Sequence, residues 1–347
     1  MNSTATASTT WTSENATDSS RIVPSKAESI ALCTAFIFTS IFIVVGNLLT
    51  IVLFAVNRTL RKRSLFLVIN MACADLMIGT VSLPIYIYGV GGDFQLWKSC
   101  WTMSLRIFFT TFDMFFSQAS LVSAAFISGE RFYAIYWPFK HRTISMRAYR
   151  ITIFSVWALS LLIASLWTIS FFLISYQHTS LYLSTPFVLI LTIIICGCNI
   201  GIWRKVRHGS IASQQQNRDS QNKRLTKTLM LVSTLALLSW LPLIIFNWLN
   251  YAYDLQLPVQ FYDLVNIINY SNSFVNPVVY ALRIPEFKEA WALYFLRKPA
   301  APSIEEKNIS RNGKTLALTP ATELTTLSTN TSILQLAFEQ EVLDTRL

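Results

Sequence analysis

Charged residues are scarce in this sequence: Asp, Glu, Lys and Arg make up only 13% of its 347 residues. A soluble domain carries about 25%, so the chain lacks the surface groups that water demands. Hydrophobic residues make up 53% of it, and the mean hydropathy is +0.44. A net charge of +10 would suit nucleic acid, but a nucleic-acid-binding domain is not this apolar. We therefore predict a membrane protein that has no nucleic-acid partner.

Motifs for metal binding and catalysis are also missing. The five cysteines contain no Cys-x-x-Cys pair, and Cys196 and Cys198 lie inside an apolar run. The three histidines are scattered, so no zinc site is predicted. We find no glycine-rich phosphate loop and no nucleophile with suitable partners. The protein is therefore predicted not to be an enzyme.

The first 28 residues contain no apolar segment of the kind that a cleavable signal peptide requires. They are rich in Ser and Thr and carry two N-glycosylation sequons, at Asn2 and Asn15. We predict that residues 1–28 form a disordered, glycosylated tail outside the cell.

Long runs with almost no charge fill most of the remaining chain. Residues 151–203 contain no Asp, Glu, Lys or Arg, and as one helix they would be roughly 80 Å long. The hydrocarbon core is only about 30 Å thick, so we divide this run into two spans at the polar residues 175–180. The predicted spans are residues 29–57, 64–92, 107–129, the two halves of 151–203, 228–253 and 264–282. Seven spans are therefore predicted, and the second and third each carry one acid, Asp75 and Asp113.

Lys and Arg residues lie on one side of the predicted bundle. The loops after spans 1, 3 and 5 are rich in them, beginning at Arg58, Lys140 and Arg204, whereas the opposite loops hold only Lys98, with Arg106 near the start of span 3. Short positive loops face the cytoplasm, which predicts an extracellular N-terminus. This topology is typical of a receptor. A transporter is the competing interpretation, but it predicts inverted repeats, and no internal repeat is present.

Most of the spans contain a polar residue or a proline in a short motif. The motifs are "GNLLT" with Asn47, "NMACADLM" with Asp75, "ERF" with Glu130, Arg131 and Phe132 followed by Pro138, Trp157 alone, "SWLP" with Trp240 and Pro242, and "NSFVNPVVY" with Asn276, Pro277 and Tyr280. In this order, over roughly residues 30–296, the chain resembles the rhodopsin-like G-protein-coupled receptors.

The resemblance implies an all-α membrane protein of the plasma membrane. Residues 29–284 would form a seven-transmembrane helix bundle, residues 285–297 a short amphipathic eighth helix on the membrane lipid, and residues 298–347 a disordered cytoplasmic tail. The implied function is to bind an extracellular small-molecule ligand and to activate a heterotrimeric G protein through outward movement of span 6. A phosphorylated tail would bind arrestin, and Thr345-Arg346-Leu347 resembles a PDZ ligand.

The resemblance also assigns roles to individual residues. Those implied in G-protein coupling and activation are Glu130, Arg131, Phe132, Pro138, Pro242, Asn276, Pro277 and Tyr280. Those implied in a hydrated pocket for an allosteric sodium ion are Asp75, Ser120, Trp240, Asn272 and Ser273. Oxygen ligands with one carboxylate suit such a cation. A polar network that only packs the helices together is the alternative, and no other cofactor is predicted.

Asp113 lies 18 residues before Arg131 on one predicted helix, and therefore near its outer end. The resemblance places it where biogenic-amine receptors have their ammonium-binding aspartate, and Tyr270 where they have the tyrosine that hydrogen-bonds it. The predicted ligand-binding residues are Asp113, Ser117, Trp240, Asn247, Asn266 and Tyr270, with Phe109, Tyr86 and Trp240 as aromatic walls. We predict a biogenic or trace amine as the ligand. Two alternatives stay open: Asp113 pairs with Arg106 or Tyr270 instead, or the ligand is a nucleoside, lipid or peptide.

The chain departs from the family pattern in several places. Cys100 lies six residues before the usual disulfide position, which Arg106 occupies, and the loop between spans 4 and 5 has no cysteine. Asn199 stands about where span 5 usually has a tyrosine, and Ala236 replaces an aromatic residue of span 6. Asn222 replaces the acid that often pairs with the arginine of span 3. These departures concern the entrance for the ligand and the charge pair that would stabilise the resting state.

Overall fold

The computed structural model describes residues 25–57, 65–173, 182–183, 185–208, 216–253, 259–283 and 287–289, without the side chains of residues 173, 208, 216–224, 251–252 and 259. Within these ranges the chain is almost entirely helical and contains no strand. The all-α prediction is therefore confirmed. The sequons at Asn2 and Asn15, the C-terminal Thr345-Arg346-Leu347 and most of the predicted eighth helix lie outside the described residues.

Nine α-helices occur in the described ranges. They are α1 Lys26–Val56, α2 Leu65–Met77, α3 Leu83–Asp93, α4 Met103–Tyr136, α5 Pro138–Arg142, α6 Met146–Thr168, α7 Thr185–His208, α8 Gln216–Tyr253 and α9 Val259–Arg283. A π-helical turn, Ile78–Ser82, joins α2 to α3, and a second one, Ile169–Leu173, extends α6. The two parts α2 and α3 therefore form a single predicted span.

Polar side chains define where several helices begin. Ser25 Oγ accepts a hydrogen bond from the Glu28 backbone N–H at 3.3 Å, and the Glu28 carboxylate accepts one from the Ser25 backbone N–H at 2.8 Å. This reciprocal capping box satisfies two backbone donors at the start of α1. Thr102 and Ser145 cap α4 and α6 in the same way, with their side chains accepting from backbone N–H groups.

Five of the long helical segments are apolar enough to cross a membrane by length and composition. They are Lys26–Val56, Leu65–Asp93, Met146–Phe172, Thr185–Arg207 and Leu225–Asn250. The other two long helices, α4 with 34 residues and α9 with 25, are also long enough to cross. Arg106, Asp113 and Glu130 make α4 more polar, and Asp263 does the same for α9. The helices that hydropathy alone misses are those that carry most of the predicted functional residues.

Helix α4 occupies the centre of the bundle and packs against α2, α6, α7 and α8. Its middle turns are buried and built from small and branched residues such as Ala119, Val122 and Ala124. Large apolar side chains are exposed instead on the outer faces, among them Phe42 on α1 and Phe154 on α6. Such surfaces are unfavourable in water and suit contact with lipid.

Gly201 allows α7 to approach α4 closely beside the predicted coupling residue Phe132. A Cβ atom at position 201 would lie 2.5 Å from the Phe132 ring, which is itself stacked on Tyr136 with ring centroids 4.4 Å apart. Gly197, one turn earlier on α7, would meet nothing within 4 Å. The two glycines therefore share a helix but differ in the space around them.

We expect Gly201→Val to destabilise the protein by about 1–3 kcal/mol, because overpacking forces the Phe132 ring to shift. Gly197→Val is the matched control, since it changes the same helix by the same residue and meets open space. Thermal unfolding of the detergent-solubilised protein measures the difference. Equal midpoints for the two variants would contradict the close contact.

Candidate functional site

Asp75 is fully buried on α2 in the centre of the bundle. Its Oδ1 accepts hydrogen bonds from Ser120 Oγ of α4 at 2.7 Å and from Ser273 Oγ of α9 at 2.8 Å, and its Oδ2 accepts one from Asn276 Nδ2 at 3.0 Å. Three donors from two neighbouring helices therefore hold one carboxylate. No Lys, Arg or His of the described chain forms an ion pair with it. A buried carboxylate without a counter-charge is costly.

The oxygen atoms around Asp75 fit a hard cation. The side-chain carbonyl oxygens of Asn272 and Asn276 are buried and have no hydrogen-bond partner. Together with the carboxylate and the hydroxyls of Ser120 and Ser273, they form an oxygen-rich set of the type that binds such ions. The hydrogen-bonded network combines three of the five residues predicted for the sodium pocket, and a fourth, Asn272, directly precedes Ser273 on α9. The fifth, Trp240, packs in the apolar core cluster, and no hydrogen bond joins it to the carboxylate.

Asn276 belongs to this network although the sequence analysis placed it only among the activation residues. Its position three residues after Ser273 puts both side chains on the same face of α9. That spacing was the signal in the sequence that could have identified it. Asn47 adds a further contact. Its Nδ2 donates a hydrogen bond to the backbone carbonyl of Ser273 at 2.9 Å and connects α1 to the same turn of α9.

A separate pair of hydrogen bonds joins α2, α4 and α6. Trp157 Nε1 donates a hydrogen bond to Asn70 Oδ1 at 2.8 Å, and Asn70 Nδ2 donates to Ser123 Oγ at 3.0 Å. The motif tryptophan of span 4 is therefore fixed by polar contacts as well as by the rings of Phe115 and Phe116.

Asp113 is half-buried on α4 and accepts a hydrogen bond from Tyr270 Oη of α9 at 3.1 Å. The structure therefore brings together the two residues that were predicted to form the amine anchor. Arg106, the alternative partner, interacts electrostatically with Asp93 at the end of α3. No Lys, Arg or His among the described residues forms an ion pair with Asp113.

Aromatic rings surround the Asp113–Tyr270 pair. The Tyr86 ring lies 5.9 Å from the Tyr270 ring and 6.0 Å from the Phe109 ring, measured between centroids, and Trp101 lies 6.0 Å from Phe109. Tyr86 and Phe109 are two of the three rings predicted as walls for a cationic ligand, and Trp101 was not predicted. Of the other predicted ligand-binding residues, Ser117 is buried one turn below Asp113, Trp240 is buried in α8, and Asn247 is half-buried two turns beyond it.

Asn266, also predicted to bind ligand, belongs to a polar chain that the sequence analysis did not foresee. Its Nδ2 donates to Tyr86 Oη at 2.8 Å, and Tyr86 Oη donates to Asp263 Oδ1 at 2.8 Å. Asp263 is only 1% exposed. It lies seven residues before Tyr270, and this spacing on one helix was the available signal.

The C-terminal end of α4 carries the ion pair of the "ERF" motif. Arg131 is buried and contacts the Glu130 carboxylate through two of its nitrogen atoms. Glu130 also accepts a hydrogen bond from Tyr149 Oη at 2.9 Å and contacts His141 Nε2 at 2.7 Å. Neither Tyr149 nor His141 was predicted. The side chain of Asn222 on α8 lies outside the described residues.

Other residues predicted to act in activation lie on α5, α8 and α9. Pro138 begins α5, and Pro242 and Pro277 lie inside α8 and α9. Tyr280 is fully buried, and its ring centroid lies 6.3 Å from that of Phe287. These positions are those that the resemblance requires, but their roles in activation stay predictions.

All five cysteines lie in the described part of the chain, and all are free. Cys100 is exposed, and no disulfide ties the start of α4 to another segment. This agrees with the departure from the family pattern noted in the sequence.

The sequence pattern of the family described as "7 transmembrane receptor (rhodopsin family)" matches residues 46–280. The chain belongs to this family. The predicted class, a rhodopsin-like (class A) G-protein-coupled receptor with an all-α transmembrane bundle, is therefore confirmed, and the transporter alternative is not supported. As a member of a receptor family with several apolar helices, the chain is a multi-pass membrane protein.

Similar proteins include receptors of two kinds. Adenosine receptor A3 of Canis lupus familiaris is 23% identical over 293 residues, which cover 77% of this chain and 91% of the relative. Trace amine-associated receptor 13c of Danio rerio is 23% identical over 305 residues, covering 77% and 86%. Trace amine-associated receptor 7f of Mus musculus is 28% identical over 306 residues, covering 75% and 81%.

Proposed function

We propose that this receptor binds a small protonated amine, of the biogenic or trace type, and that Asp113 is its anchor. The observation that supports this most strongly is the Asp113 carboxylate, half-buried beside aromatic rings, hydrogen-bonded to Tyr270 and unpaired with any cation of the described chain. Such a charge is costly in a poorly hydrated cavity. A ligand ammonium would neutralise it through a charge-assisted hydrogen bond, which is stronger than a neutral one.

A nucleoside is the second candidate, because adenosine receptor A3 of Canis lupus familiaris is among the similar proteins. The amide of Asn247, half-buried on α8, offers the donor and acceptor that a purine base would need. An uncharged nucleoside would leave the Asp113 carboxylate without a counter-charge, however. We therefore place the amine first.

A panel of amines and nucleosides tests this choice directly. Cells that express the receptor are assayed for agonist-induced separation of Gα from Gβγ, which reports G-protein activation without assuming a subtype. We expect activation by one or more amines and none by nucleosides. Activation by a nucleoside alone would overturn the proposal in favour of the second candidate.

We further propose that the receptor lies in the plasma membrane with its N-terminus outside. In that orientation Asp113 is nearer the extracellular side, and the Glu130–Arg131 pair is nearer the cytoplasm. Coupling would use Arg131 and its neighbours, with Pro242 allowing α8 to bend outward, because a proline inside a helix removes a backbone hydrogen bond. Arrestin and PDZ binding in the tail, and glycosylation at Asn2 and Asn15, stay predictions.

We also propose that Asp75, Ser120, Asn272 and Ser273 hold a sodium ion that favours the resting state, with Asn276 as a further ligand. The ion would supply the positive charge that the buried carboxylate lacks. These side chains would then keep α2, α4 and α9 together, since they come from all three helices. Binding that prefers one conformation shifts the population toward it.

We expect the receptor to signal without agonist because of the residue at position 222. Arg131 pairs with Glu130, but Asn222 cannot add a second charge pair between α4 and α8. We expect Asn222→Glu to lower basal G-protein activation several-fold, because about 1 kcal/mol changes a two-state ratio roughly fivefold. Asn222→Gln is the matched control, since it lengthens the side chain without adding charge. Equal basal output from all three receptors at equal surface levels would refute the expectation.

A further inference from the structure

We propose that Asp263 is a second ammonium-binding site, and that the activating ligand is a diamine whose two ends bind Asp113 and Asp263. The proposal rests on the proposed function, in which Asp113 anchors an amine, and narrows its ligand to a dication. Nothing in the family resemblance assigned a role to Asp263.

The first observation is that the Asp263 carboxylate is buried and that one of its oxygen atoms has no hydrogen-bond donor. The residue is only 1% exposed, and its Oδ2 atom has no hydrogen-bond partner. No Lys, Arg or His among the described residues forms an ion pair with it. Buried acidic residues are almost always paired, and an orphaned buried acceptor is costly. The carboxylate therefore lacks a donor, and a cation is the donor that would also neutralise its charge.

The second observation is that Asp263 is held in place as an acceptor. Asn266 Nδ2 donates to Tyr86 Oη, so the single hydroxyl proton of Tyr86 is directed to Asp263 Oδ1. Tyr270 holds Asp113 in the same manner. Each acid thus has its own tyrosine, and the two tyrosine rings contact each other with centroids 5.9 Å apart. One aromatic wall therefore connects the two carboxylates.

The surroundings of Asp263 also favour a cation. Gln260 lies three residues earlier on α9, and its buried Oε1 atom likewise has no hydrogen-bond partner. An ammonium carries three N–H donors, which suit these two unpaired acceptors. Asp93 lies close enough to repel the Asp263 carboxylate, and the nearby Arg106 interacts with Asp93. A second acid therefore lies near the unpaired acceptors, and this acid itself interacts with Arg106.

Helix geometry gives the spacing of the two sites. Asp263 and Tyr270 are seven residues apart on α9, so they lie on one face about 10 Å apart along the helix axis. Because Tyr270 contacts Asp113, the second site lies about two helical turns further toward the outer end of the bundle. Ethylenediamine is too short to span this distance, whereas hexamethylenediamine is long enough. Since Asp263 is closed off from solvent, binding would stabilise a locally opened form of this outer end.

Hexamethylenediamine and hexylamine are the matched probes, because they share one chain length and differ in the second charge. We expect the wild type to respond to hexamethylenediamine at concentrations about tenfold or more below those needed for hexylamine, and ethylenediamine to show no such gain. Asp263→Asn should remove this preference and leave the hexylamine response unchanged. Asp93→Asn controls for the loss of one negative charge near the same site and should keep the preference.

The outcomes separate this proposal from the proposed function. Equal potency of the two six-carbon probes on the wild type, or a preference that persists in Asp263→Asn, overturns the second site while leaving the Asp113 anchor in place. If neither probe activates the wild type, the second site is overturned, and the panel of amines still tests the proposed function. If Asp113→Asn responds to hexylamine like the wild type, both proposals are overturned. Should Asp263→Asn fail to reach the cell surface, the comparison of the two probes on the wild type decides alone.

Discussion

Asp113→Asn is expected to abolish the response to the activating amine while the receptor still folds and reaches the cell surface. Asn keeps the size of the side chain and its ability to accept from Tyr270 Oη, so only the charge is lost. Removing one partner of a desolvated charge pair costs about 2–5 kcal/mol, which corresponds to roughly 30-fold to several thousandfold in affinity. Concentration–response curves for G-protein activation, with surface expression measured in parallel, test this.

Two further variants separate the amine anchor from an internal ion pair. Tyr270→Phe should weaken the response less than Asp113→Asn does, because the carboxylate keeps its charge and loses only the hydrogen bond at 3.1 Å. Arg106→Ala should leave amine binding unchanged or make it tighter, because Arg106 interacts with Asp93 instead. A wild-type response in Asp113→Asn, or a large loss of amine affinity in Arg106→Ala, would contradict the anchor.

Asp75→Asn is expected to remove the dependence of agonist affinity on sodium. In the wild type, raising sodium should weaken agonist binding by about fivefold or more, the lower range of typical coupling between two sites. The cause is the fully buried carboxylate, which accepts from Ser120, Ser273 and Asn276 and has no described counter-ion. Without its charge, the network of hydroxyls and amides has little affinity for a monovalent cation.

Agonist displacement of a labelled antagonist measures this effect, with N-methylglucamine replacing sodium at constant ionic strength. The replacement separates specific binding from screening of surface charges. Ser120→Ala serves as a graded control, because it removes one oxygen ligand and keeps the carboxylate. The proposed sodium site would be contradicted by an Asp75→Asn receptor that keeps the full sodium dependence.

The parts of the site that could be predicted from sequence are those in which one residue stands out from its span. Asp75 and Asp113 are the only acids in their runs, and a lone acid in a membrane span indicates function. The distance between Asp113 and Arg131 could be interpreted because α4 is one continuous helix of 34 residues. The resemblance to a known family then implied that Tyr270 hydrogen-bonds Asp113, and the structure contains this hydrogen bond.

Contacts between helices were harder to predict because they depend on how each helix is rotated. Tyr149 and His141 reach Glu130 from α6 and α5, and nothing local in the sequence marks them as its partners. Asp263 was missed for a different reason. The last predicted span begins at residue 264, directly after Asp263, whereas α9 begins at Val259 and so contains Asp263 within its first turns.

The charge of the ligand is the most direct test of the central claim that Asp113 anchors an amine. For the most potent amine found, the measurement compares wild-type G-protein activation by that amine with activation by its N-acetylated analogue, which keeps the carbon skeleton and loses the positive charge. We predict that acetylation reduces potency by roughly 30-fold or more, the loss expected when one member of a charge pair is removed. An N-acetylated analogue as potent as the parent amine would contradict the proposed anchor.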